Sequence, residues 1–166
     1  MPTEIVKVKT GDDIDIISAL ALEIWTDHFT PIIGLSQVEY MLDKFQSSRA
    51  IKSQIINGHD YYLAKVKHTF VGYTALVPDI KSNKMMISKL YTRSFIRGKG
   101  VGVALLSYIE RMCVYEQIST LWLTVNKHNS GPIAWYQRHG FKIVDSTKTD
   151  IGGGFFMDDY LMEKYL

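Results

Sequence analysis

The stretch from Lys84 to Val125 limits the fold more than any other part of this sequence. It reads as a strand, "KMMISKLYTR" (Lys84 to Arg93), a glycine-rich loop containing "RGKGVG" (Arg97 to Gly102), a helix from about Gly100 to Glu116, and an apolar strand, "STLWLTV" (Ser119 to Val125). Two strands joined through a helix lie parallel in their sheet, and such a crossover is right-handed in almost every known case. Parallel neighbours at the middle of the chain therefore anchor the whole topology.

The remaining segments are arranged around that unit. "EIVKV" (Glu4 to Val8) alternates as a strand, and "GDDIDIISALALEIWTDHF" (Gly11 to Phe29) has helical periodicity with an acidic first turn that suits the positive end of its dipole. Pro31 and Gly34 are expected to end it. "SQVEYMLDKFQ" opens a second helical region in which Ser36 and Glu39 fit a capping box, and "SRAIKSQIING" resumes it until Asn57 and Gly58. "DYYLAKVK" and "TFVGYTALVP" are β-branched and aromatic runs joined by a tight turn, so they predict a hairpin that the Lys84 strand continues as a meander. A helix from about Ser130 to His139, capped at Gly140, precedes two last strands, "FKIVDSTKT" and "FFMDDYLMEKYL", around the flexible "IGGG" (Ile151 to Gly154). The expected fold is α/β: a mixed, mostly antiparallel sheet of about seven strands with helices on both faces.

With 166 residues, 46% of them hydrophobic, the chain suits one domain with a substantial core, taken as residues 1–166. The net charge of +2, spread along the chain, gives no footprint for nucleic acid or a membrane surface. The most apolar helical run, "IISALALEIW", is too short to span a bilayer, and the first residues have no secretory pattern, so a cytoplasmic location is expected. Cys113 is the single cysteine, and the scattered histidines have no zinc spacing, so no metal is expected.

Three alternating glycines at the start of a helix cost about 1 kcal/mol each relative to alanine, so another benefit must offset them. A helix N-terminus offers free N–H groups and about half a positive charge, which together attract anions. Glycines at 98, 100 and 102 would let the backbone approach a ligand without Cβ obstruction, while Arg97 and Lys99 add charge-assisted bonds. A phosphate or pyrophosphate accounts for all five residues. A Walker A loop needs Ser or Thr directly after Lys99, where Gly100 stands, and a dinucleotide fingerprint needs glycine where Val103 stands.

"RGKGVG" resembles the Q/R-x-x-G-x-G/A loop of the Gcn5-related N-acetyltransferases, whose backbone amides hold the pyrophosphate of acetyl-CoA. The element order over the whole chain is similar to that family's, and "NKHNSGPIAWYQRHGFKIV" resembles its second signature. The closing "FFMDDYLMEKYL" resembles the last strand of the branch that includes spermidine/spermine-type acetyltransferases.

The resemblance implies an acetyl-CoA-dependent N-acetyltransferase acting by direct transfer on a small amine, a polyamine or a peptide amine. It implies that the Lys84 and Ser119 strands splay apart, so that the main chain of Leu90, Tyr91 and Thr92 pairs with the pantetheine arm. Arg97, Gly98, Lys99, Gly100, Val101 and Gly102 would hold the pyrophosphate, with Asn129 or Asn126 as a further contact. Tyr136, at the family's tyrosine position, would give a proton to the departing thiolate, because a phenol with a pKa of about 10 stays protonated at neutral pH. Members of the family are commonly dimers.

Many relatives carry a Glu on the strand that reads here "KMMISKLYTR", which has no acid. A water chain, His28 or Asp27 would then accept the ammonium proton, "WTDHFTPII" would line the acceptor side, and Asp158 and Asp159 could attract a cationic polyamine or simply be solvated. The missing acid also keeps open a second reading, an acyl-CoA-binding sensor without turnover. A third, a nucleotide-phosphate enzyme, is disfavoured by the loop. Cys113 reads as a packing residue.

Overall fold

The computed structural model describes residues 2–166. In chain order the elements are β1 (Glu4–Lys7), α1 (Gly11–Ile33), α2 (Leu35–Phe45), α3 (Ser48–Ile56), β2 (Asp60–Val66), β3 (Thr69–Asp79), β4 (Lys84–Thr92), a 3-10 turn (Ser94–Ile96), α4 (Val101–Tyr115), β5 (Thr120–Asn126), α5 (Ser130–Arg138), β6 (Lys142–Gly152) and β7 (Phe155–Tyr165). They build one seven-stranded sheet in the order β1-β2-β3-β4-β5-β7-β6. Every neighbouring pair is antiparallel except β4 and β5, which run parallel as the helical crossover requires.

Parallel pairing is short. It covers only Lys84, Met85 and Met86 against Thr120, Leu121 and Trp122, after which the strands diverge. A bulge on β4 lies just beyond: Leu76 of β3 faces Ile87 while Ala75 faces Lys89, leaving Ser88 as the extra residue. The extra residue exchanges the faces of the strand. Met85 and Ile87 pack with Leu106 and Ile109 of α4, whereas Tyr91 packs with Trp25 and Phe29 of α1.

The two faces of the sheet carry separate cores. One joins α1 and α2 to Tyr61, Leu63, Tyr73 and Ala75, and the other joins α4 and α5 to Leu121, Leu123, Phe141 and Met162. Cys113 is fully buried in the second, and burial pushes its thiol up to about 11, as suits a packing residue.

Several local expectations are corrected. Ser36 does not cap α2, which begins at Leu35 after Gly34 with no side-chain cap; the capping box is at α1, where the Thr10 hydroxyl accepts from the Asp13 N–H at 3.2 Å and the Asp13 carboxylate accepts in return. Pro31 lies inside the last turn of α1, and Gly34, with φ +85°, ends the helix. At 23 residues α1 is also longer than its apolar run, long and apolar enough to cross a membrane by that measure alone. Its buried stripe, Ile17, Leu20, Ala21, Ile24, Trp25 and Phe29, instead packs in the core on the sheet. The β2–β3 hairpin turns through Lys67 and His68, both at positive φ, as a two-residue loop between right-twisted strands requires.

Candidate active site

The divergence of β4 and β5 opens a cavity of about 840 Å³ that receives residues from both faces of the sheet. On the α4 and α5 side its wall includes Arg97, Gly98, Gly100 to Val103, Asn129, Trp135, Tyr136 and Arg138. On the α1 and α2 side it includes Phe29, Ile32, Ile33, Met41, Met157 and Asp159. Leu90, Tyr91, Thr92 and Asn126 lie along the gap.

The glycine loop ends at Gly100, which has φ +86° and acts as the N-cap of α4 with no side chain to offer. The first bond of that helix runs from the Ala104 N–H to Gly100 O at 2.9 Å, so the N–H groups of Val101, Gly102 and Val103 are not spent inside it. Gly98 and Gly100 are required by their left-handed backbone, and a Cβ at either would project into open space. Gly102 has a different reason. A Cβ there would meet Trp135 Cζ2 at 3.3 Å, so this glycine lets the indole of α5 lie on the first turn of α4. Lys99 is exposed and does not contribute to the wall, and its N–H donates to Ile96 O at 3.3 Å.

The open edge of β4 is the second binding element. Arg93 N–H donates to Val71 O at 2.8 Å, so by the alternation of an antiparallel ladder the main-chain groups of Tyr91 also face β3. Those of Leu90 and Thr92 then face the gap. Tyr91 contributes its ring, set 5.6 Å from Trp25 and 5.6 Å from Tyr73.

A polar relay crosses the cavity mouth. Arg97 Nη2 lies 3.4 Å from His28 Nδ1, and His28 Nε2 lies 2.8 Å from Asn129 Oδ1. Arginine can only donate, so Nδ1 presents its lone pair and Nε2–H is the donor to Asn129. Asn129 is buried, and its side chain is used in this relay; it does not cap α5. The Asn126 carboxamide accepts from His128 N–H at 2.9 Å. Asp27 is not part of the wall.

Tyr136 is buried against Phe141, with ring centroids 5.3 Å apart, and burial holds its phenol well above the ordinary tyrosine range. Among the described residues no protein group bonds its hydroxyl, and no metal-binding cluster is present.

A model of the acetyltransferase (GNAT) family matches residues 21–141, well over half of the chain. The chain belongs to that family. A curated spermidine N(1)-acetyltransferase of Thermoplasma acidophilum is 24% identical over 144 residues, covering 84% of this chain and 88% of the relative. Among solved structures, PaiA N-acetyltransferase of the same organism, in complex with coenzyme A, superposes with a TM-score of 0.83 at 24% identity over 100% of both chains. A GCN5-related N-acetyltransferase of Rhodopseudomonas palustris reaches 0.84 at 14% identity, over 100% of this chain and 97% of that one.

This GNAT protein is an N-acetyltransferase, and its acetyl donor is acetyl-CoA. The residues present fit that donor on physical grounds. Unspent N–H groups at a helix start and a nearby guanidinium suit a pyrophosphate, and an unpaired strand edge suits a chain of amides. Arg138 and Trp135, in the wall of the cavity, had no signal in the sequence beyond their place in the second signature.

Proposed function

We propose that this acetyltransferase transfers the acetyl group directly to a primary amine in a ternary complex, the amine belonging to a small molecule, a polyamine or a peptide. The observation that carries the proposal is the single cavity that passes from one face of the sheet to the other through the β4–β5 gap. Its wall draws residues from both faces, so donor and acceptor can meet in one space, which is the arrangement that direct transfer needs.

In this reading residues 1–166 act as one domain. Arg97 and the amides of Gly98 and Gly100 to Gly102 hold the pyrophosphate, Lys99 adds only long-range charge, and Leu90 and Thr92 pair with the pantetheine amides. Asn129 and Asn126 border the same arm. Tyr136 donates its proton to the sulfur as the C–S bond breaks. The family assignment favours turnover over a sensor that only binds acyl-CoA.

Release of free thiol from acetyl-CoA, followed across a panel of arylalkylamines, alkylamines, polyamines and peptides, tests the proposal. Amine-dependent release is the expected result. Tight acetyl-CoA binding without release on any amine would overturn it.

A further inference from the structure

Asp158 and Asp159 are adjacent in sequence but have opposite environments. Successive residues of a strand point to opposite faces, and β7 separates the two accordingly. Asp158 is partly exposed and pairs with Lys127 at 3.1 Å. Asp159 is only 5% exposed, lies on the same side of the strand as Met157, and opposes Asn126 at the end of β5.

Asp159 has three further properties. It is the one acid in the wall of the β4–β5 cavity among the described residues. No protein group bonds its side chain among those residues, and its carboxylate opens on the cavity, where a ligand group could partner it. Its proton affinity is raised, to about 6, chiefly by burial and then by Asp158, with Lys127 acting in the opposite direction. A carboxylate on a mostly buried residue, without a protein partner and open to the cavity, is suited to a cation brought by a ligand.

We propose that Asp159 receives the ammonium group of the acceptor and takes its proton, and that the apolar wall beside it selects a primary amine carried on an apolar body. This rests on the acetyl-transfer reading above. The wall on this side is largely apolar, Phe29, Ile32, Ile33, Met41 and Met157 with Gln37 and His28 as neutral polar neighbours, and it offers a second cation no carboxylate. A polyamine bound inside would leave further ammonium groups desolvated, so an arylalkylamine or alkylamine fits better than spermidine.

The protons balance. The ammonium gives one proton to the Asp159 carboxylate, and the freed lone pair forms the N–C bond at the acetyl carbonyl. As the tetrahedral species collapses the C–S bond breaks, its electron pair goes to sulfur, and sulfur takes the Tyr136 proton. The nitrogen's second proton restores Tyr136, and Asp159 releases its own to solvent. The products are amide, thiol and one free proton. The charged groups that act on Asp159 are Asp158 and Lys127, its own charge acts on Tyr91 of β4, and His28, Lys89, Arg97, His128, Tyr136 and Arg138 line the same cavity.

The test compares wild type, Asp159→Asn and Asp159→Glu in thiol release with phenethylamine, hexylamine and spermidine, alongside calorimetric titration with acetyl-CoA. Expected are a higher kcat/KM for the two monoamines than for spermidine, a fall of about 10²–10⁴-fold in Asp159→Asn, partial rescue by Asp159→Glu, and unchanged acetyl-CoA affinity. Folding should survive, because the Asn variant removes an unpaired buried charge. Relative to Asp159→Asn, the wild type should lose stability as pH rises from about 4 through 6. Should Asp159→Asn fail to fold, Asp159→Ser takes its place in the same comparison. Amine turnover that survives in these variants would overturn the role of Asp159, as would a preference for spermidine overturn the apolar acceptor. A wild type inactive on every amine would instead defeat the acetyl-transfer reading beneath both.

Discussion

Gly102 lies against the indole of Trp135, close enough that a Cβ would come within 3.3 Å of Cζ2. The same glycine has an ordinary helical backbone, while Gly100, two residues earlier, is left-handed at φ +86°. The two are therefore constrained for different reasons, and alanine separates them. Gly100→Ala forces a Cβ into the left-handed region and should cost about 1–2 kcal/mol. Gly102→Ala gains about 1 kcal/mol of helix propensity and pushes a partly exposed ring that can yield. Urea unfolding should show a clear loss for the first and little change for the second.

Arg97 is held by His28, which is held in turn by Asn129. Arg97→Ala should weaken acetyl-CoA binding by about 1.5–3 kcal/mol, the range for hydrogen bonds to charged groups. Calorimetry checks this, and the difference from wild type should shrink as salt is raised, because Arg97 is exposed.

Tyr136 has a hydroxyl with no protein partner and a phenol held protonated by burial. Tyr136→Phe should lower kcat by about 10²–10⁴-fold with an unchanged affinity for acetyl-CoA. Single-turnover thiol release, set beside calorimetry, separates these quantities. An unchanged kcat would exclude the proton-donor role.

Lys89 is buried at the β4 bulge, where Nζ donates to Phe45 O, Gln54 Oε1 and Tyr61 Oη. Burial lowers its pKa from 10.5 to about 7, so between those values the unfolded chain holds a proton that the folded one has released. Stability should then rise with pH from about 7 towards 10, by at most about 1.4 kcal/mol per pH unit. Cys113, Tyr61 and Tyr73, pushed up by burial, have the opposite sign at the alkaline end, the thiol first, so urea midpoints are best compared up to about pH 8.5. Lys89→Met should flatten the slope.

Most of the architecture was legible because its signals are local. The glycine loop at a helix start, the periods of the strands and the single crossover led to the correct sheet. Features that depend on contacts between distant parts of the chain were not. His28 meets Asn129 across 101 positions, and nothing in either neighbourhood announces it. Asp158 and Asp159 look equivalent until the pairing of β7 with β5 decides which of them turns inward. Lys89 was hidden by a bulge that reverses the sides of β4 midway, an event that simple alternation does not foresee. Ser36 had the right partner for a cap, but Gly34 takes the N-cap position two residues earlier.

Among the described residues the ladder between β4 and β5 has three parallel rungs, and beyond them α4, packed on both strands, holds the halves of the sheet together. A donor whose amides bridge the remaining span would act as the keystone of the arch as well as its cargo. Loading should therefore slow hydrogen exchange along β4 and β5, and substitutions that loosen the grip on acetyl-CoA would also leave the two halves freer to shear.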